Sequence, residues 1–149
     1  MIQMPSLLKL FPNSKCAGVY RTAIDDSEIT AAAKTVGLNV FKLNLSAARG
    51  KSGLLDCFAK ALRFPAHFGK NWDALNDCLT DLQWLDGKGW VVIMANAQSF
   101  ADKHGEVFTT AIDILAGSAK HWRALKKPFW IIVQAPASWD WELPTIVSD

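Results

Sequence analysis

Two runs of the chain, Trp90-Val91-Val92-Ile93-Met94 and Phe129-Trp130-Ile131-Ile132-Val133, contain no charged or amide side chain. A strand with one face in water alternates apolar and polar residues, whereas a strand covered on both faces does not. Both runs therefore predict central strands of a parallel sheet, with a layer of structure on each side. Neither approaches the ~20 residues needed to span a bilayer.

The other segments fit around that pair. Val40-Phe41-Lys42-Leu43-Asn44-Leu45 alternates and predicts a third strand, and Gly18-Val19-Tyr20-Arg21 predicts a fourth at a sheet edge. Helical periodicity occurs in Ser27 to Val36, ending at Gly37, in Ser52 to Leu62, and in Glu106 to Trp122. Strands alternating with helices predict an α/β domain: a small parallel sheet of three to four strands with helices packed against it, joined by right-handed crossovers. The last stretch, Ala135 to Asp149, holds Pro136, Pro144, Trp139 and Trp141 and reads as an irregular tail whose tryptophans fold back onto the body.

At 149 residues and 50% hydrophobic, the chain suits a single domain, 1–149, that fills its core without covalent staples. Cys16, Cys57 and Cys78 are odd in number and widely spaced, which argues against a disulfide framework or a thiolate zinc site. Buried, reduced thiols in a cytoplasmic protein are expected. The opening MIQMPSLLKLFPNSK places Lys9 inside its apolar stretch and no basic residue ahead of it, unlike a signal peptide.

The formal charge of +2 is too small to imply polyanion binding, but its distribution is uneven. Between Phe64 and Asp86 one lysine faces four aspartates, leaving +5 on the remainder. Three of those acids, Asp73, Asp77 and Asp81, recur every fourth residue along a helix expected from Trp72 to about Gln83, with Asn71 as its N-cap. Leu75, Cys78, Leu79 and Leu82 occupy the opposite, core-facing side. Like charges one turn apart cost roughly 0.2–0.5 kcal/mol per pair, and no cation stands three or four residues from Asp77 or Asp81. The helix dipole favours Asp73, is indifferent to Asp77 and opposes Asp81. Helix stability thus explains one acid of three, and a partner bringing cations would explain the others.

The stretch Phe64-Pro65-Ala66-His67-Phe68-Gly69-Lys70-Asn71-Trp72-Asp73-Ala74-Leu75-Asn76-Asp77-Cys78-Leu79-Thr80 resembles the barstar family. That family's motif runs Pro, two residues, aromatic, Gly, x, Asn, x, Asp-Ala-Leu, x, Asp-Cys-Leu. The likeness covers about Val40 to Val133, and the segment before it is similar to the N-terminal extension of longer bacterial barstar-like proteins. The resemblance implies a non-enzymatic protein without cofactor, monomeric when free, that inhibits a secreted ribonuclease inside the producing cell. It also implies a partner-binding surface of His67, Phe68, Gly69 and Asn71 in the loop with Asp73, Asn76, Asp77, Thr80 and Asp81 on the helix. Asp77 matches the family's dominant acidic contact and Asp73 a second one. Asp81 stands where barstar has Gly, Asn76 and Leu82 where it has tryptophans, and His67 where it has tyrosine. A histidine in contact with a basic site would make binding pH-sensitive.

Other chemistries fit less well. Gly50-Lys51-Ser52 ends like a phosphate-binding loop, but Leu45 stands where that motif needs glycine, and Ser52 reads more simply as a helix N-cap. His67, His104 and His121 lack metal-ligand spacing. Aspartates side by side on one helix do not face each other across a substrate as paired catalytic carboxylates must. Two alternatives remain open: a protein partner other than a nuclease, and single-stranded nucleic acid stacked on Trp84, Trp139 and Trp141 beside the excess lysines.

Overall fold

The computed structural model describes residues 6–147. Its frame is a five-stranded, all-parallel sheet of β1 (Val19–Thr22), β2 (Asn39–Asn44), β3 (Trp90–Ala95), β4 (Phe129–Gln134) and β5 (Thr145–Ile146), in the order β2-β3-β4-β1-β5. The two uninterrupted apolar runs are β3 and β4, paired at the centre with Trp90 opposite Phe129 and Val92 opposite Ile131. Successive side chains leave the sheet on opposite faces. Trp90, Val92, Met94, Phe129, Ile131 and Val133 therefore join one core, and Val91, Ile93, Trp130 and Ile132 join another.

Each face has its own cover. Helices α3 (Gly50–Ala61), α4 (Trp72–Leu79), α5 (Ala97–Lys103) and α6 (Gly105–Ala124) bury Phe58, Leu79, Phe100 and Phe108, among others, on the first face. The short α1 (Leu7–Leu10) and α2 (Asp26–Thr35) bury Leu10, Ile29 and Ala33 on the second, together with Phe11. The segment preceding β2 thus closes one whole side of the sheet.

Three sequence expectations are corrected here. β1 is not an edge strand, because the tail returns beside it as β5, with the Arg21 N–H donating to the Pro144 carbonyl at 2.8 Å; this also raises the strand count to five. Helix α3 begins at Gly50, so Ser52 lies inside it; Arg49 is its N-cap, and the Gly50 N–H donates to Nε2 of His104 at 3.3 Å. The cysteines are unpaired, as expected, but half-buried rather than buried.

The tail tryptophans do fold back. Trp139 is 5% exposed, and its ring stacks on Trp141 at 5.6 Å while both lie against Phe108. Trp84 is half-buried, with its indole N–H donating to the Leu62 carbonyl at 2.8 Å. Trp139 is thus committed to the core, while Trp84 and Trp141, half-buried, are each packed on one side against internal partners. Among the described residues no helix is long and apolar enough to cross a membrane.

Candidate functional site: an acidic loop and helix

The loop between α3 and α4 is shaped from below. Phe64 packs edge-on against Phe68 at 4.9 Å and against Trp84 at 6.0 Å, and the Phe68 N–H closes a turn onto the Pro65 carbonyl at 3.0 Å. Phe68 therefore turns half inward, while His67 and Gly69 remain exposed. Lys70 adopts a left-handed φ of 51°, uncommon for a residue with a side chain. Its ammonium lies 2.9 Å from Asp56 on α3.

Asn71 caps α4 as its position predicts: Oδ1 accepts from the Ala74 N–H at 2.7 Å, satisfying one of the donors that a helix start leaves open. Asn71→Ala is expected to cost about 1 kcal/mol of stability, read from a urea unfolding midpoint with unchanged slope. A loss below a few tenths would mean that the loop holds this terminus without the cap.

Asp73, Asn76 and Asp77 stand exposed on α4, with the two acids one turn, about 6 Å, apart along the axis. The expected third turn is absent. The helix ends at Leu79, where the Thr80 hydroxyl donates back to the Asn76 carbonyl at 2.8 Å. Leu82 then takes a left-handed φ of 49°, and its N–H bonds the Cys78 carbonyl at 3.1 Å. Asp81 consequently belongs to the turn, exposed and in reach of the Gln83 amide at 3.4 Å, rather than to a helical row of three. Leu82 is 1% exposed and belongs to the core, so it offers no surface in place of an aromatic contact.

Among the described residues two ion pairs form, Lys42 with Asp26 and Lys70 with Asp56. Neither includes Asp73, Asp77 or Asp81. The acids project from a rigid seat, because α4 packs on α6 and the Trp122 indole donates to the Leu79 carbonyl at 2.7 Å. Such an arrangement can present fixed negative charge to a cationic surface; it has no facing acid–base pair, and no cluster of metal-ligating side chains occurs among the described residues.

Burial, and after it the carboxylates of Asp77 and Asp81, push the Cys78 thiol above its ordinary 9.0. Cys57 and Tyr20 are also raised, in each case chiefly by burial. A raised value means that folding favours the protonated group. The associated stability is complete below about pH 9 and is lost as pH climbs through the raised values. The urea midpoint is therefore expected to fall on going from pH 8 to pH 10, with Cys78→Ser reducing the slope; a midpoint that rises over that interval contradicts the assignment.

A profile of the family described as barstar (barnase inhibitor) matches residues 38–134, well over half of the chain. The chain belongs to the barstar family. That family is one of non-enzymatic inhibitors, and membership implies a ribonuclease as partner. The match begins at Leu38, just before β2, and closes with β4, leaving α1, β1 and all of α2 as an N-terminal extension. No curated protein sequence matches the chain. Two features of the loop escape a linear reading. Asp56 and Lys70 are fourteen residues apart, beyond any helical or strand period, and the Phe64, Phe68 and Trp84 cluster shows in sequence only as an aromatic-rich stretch.

Proposed function

We propose that the chain inhibits a ribonuclease by seating the loop His67 to Asn71 and the exposed face of α4 in the enzyme's cationic active site. Asp77 is the central charge and Asp73 the second. Asn76, Thr80 and Asp81 border them, and His67, Phe68 and Gly69 shape the leading edge of the loop. The carrying observation is that Asp73 and Asp77 are exposed, rigidly held and, among the described residues, unpaired, while the loop's own cation is drawn off to Asp56. Carboxylates that repel one another in the free protein gain most from a partner supplying the missing cations. The chain acts in this as one domain, its extension closing the far side of the sheet from the inhibitory face.

The test is inhibition of RNA cleavage by a barnase-type ribonuclease, run beside affinity capture from the native cell. Stoichiometric inhibition, or capture of a basic ribonuclease that is lost with the paired substitution Asp73→Asn and Asp77→Asn, is expected. Capture or inhibition undiminished by that pair places the contact elsewhere on the chain.

A further inference from the structure

We propose that the crevice at the carboxyl ends of β1 and β4 binds the carboxylate of a small acid with an apolar body, anchored by Arg21. None of its walls comes from the segment 67–81, so the site is independent of the inhibitory face. The crevice encloses about 580 Å³, the size of a small-molecule site. It also lies at a topological switch. After β1 the chain crosses to α2 on one face of the sheet, and after the adjacent β4 it passes over the other face, where Trp139 meets α6. In open parallel sheets ligands bind at the carboxyl ends of two strands whose connections part in this way.

Arg21 supplies the chemistry. It is a strand residue only 7% exposed, and a guanidinium stays charged wherever it is placed. Nη1 donates to the Trp141 carbonyl at 2.9 Å and Nη2 to the Pro136 carbonyl at 3.0 Å, and the group lies 5.3 Å from the centre of the Trp139 ring. Those partners are neutral. Among the described residues no carboxylate pairs with it, so a buried unit charge stands on a ligand-sized space without a counter-ion. Buried charges ordinarily have one. Two of the five guanidinium donors are engaged, and a planar carboxylate matches the geometry of the remaining fork.

The walls define the rest of the ligand. Ile24, Ala135, Trp139 and Ile146 offer an apolar lining, which suits an aliphatic body. Among the described residues Glu28 is the one acid lining the crevice, which disfavours a dianion such as a phosphate monoester and would accept an ammonium. The ligand carboxylate can therefore come from a plain aliphatic acid or from an apolar amino acid.

The experiment titrates the full, isotope-labelled chain with 4-methylpentanoate and with L-leucine, which share a skeleton and differ in the ammonium, and with inorganic phosphate as comparison. Saturable NMR shifts at the Trp139 indole and the Ala23, Ala135 and Ile146 amides are expected with at least one of the two acids. Arg21→Lys, which keeps the charge and loses the fork, is expected to weaken binding at least tenfold. Ala137→Trp, which narrows the crevice and keeps the backbone carbonyls that Arg21 bonds, is expected to abolish it. Tighter binding of leucine, equalised by Glu28→Gln, identifies the amino acid as the source; tighter binding of 4-methylpentanoate identifies the plain acid. No saturable shift with either acid, preference for phosphate, or binding indifferent to both Arg21→Lys and Ala137→Trp overturns the proposal.

Discussion

Asp77→Ala is expected to weaken the complex with a basic ribonuclease by about 30-fold or more, the effect of losing a contact worth at least ~2 kcal/mol. The free protein should be unharmed. Asp77 is exposed, makes no ion pair among the described residues, and shares α4 with Asp73 one turn away, so its removal relieves a repulsion of roughly 0.2–0.5 kcal/mol. Opposite signs for binding and for stability are what separate a docking charge from a structural one. Truncating one member of a desolvated charge pair is costly because the partner's cations are left buried and unpaired, a behaviour for which barnase and barstar are themselves a standard illustration. Asp77→Asn separates charge from shape: if the carboxylate acts through its charge, the amide should lose most of the same affinity. An affinity change below threefold for both variants, or a melting temperature several degrees lower for the free Asp77→Ala protein, contradicts the role assigned to this residue.

What could be read beforehand depended on how local the physics was. β3 and β4 announced themselves because double-sided burial leaves its mark on every residue of a run. Asn71 was legible for the same reason, since a cap acts within three residues. Asp81 falls on a helical spacing because Leu82 stays in the core by a left-handed turn, which imitates one more helical turn. β1 reads as an edge because its outer neighbour, β5, is two residues long and carries no periodicity of its own. The Asp56–Lys70 pair, the seat of Phe68 on Phe64, and Arg21 lodged among carbonyls of the tail are meetings of distant segments. Residue spacing has no means of encoding those.

Trp130→Ala is expected to destabilise the protein by about 3–5 kcal/mol, the range for deleting a large buried aromatic side chain. Trp130 lies within β4 and is fully buried, with Phe11 edge-on at 5.3 Å and Tyr20 at 5.4 Å. Its indole N–H donates to the Phe11 carbonyl at 2.9 Å, an acceptor that the alanine variant orphans inside the core. The residue therefore ties the central sheet to the segment that lies outside the family match. That segment is required by the strands themselves. Val91, Ile93, Trp130 and Ile132 are each no more than 1% exposed, and their cover is Leu10, Phe11, Ala17, Ile29 and Ala33. Leu10→Ala and Phe11→Ala should each reproduce part of the loss, by about 2–5 kcal/mol, with the proposed binding face still intact in the folded fraction. Urea unfolding at neutral pH gives the comparison. If Trp130→Ala costs under 1 kcal/mol, residues 7–38 rest on the sheet without sealing it, and the face opposite α4 owes its dryness to something other than the extension.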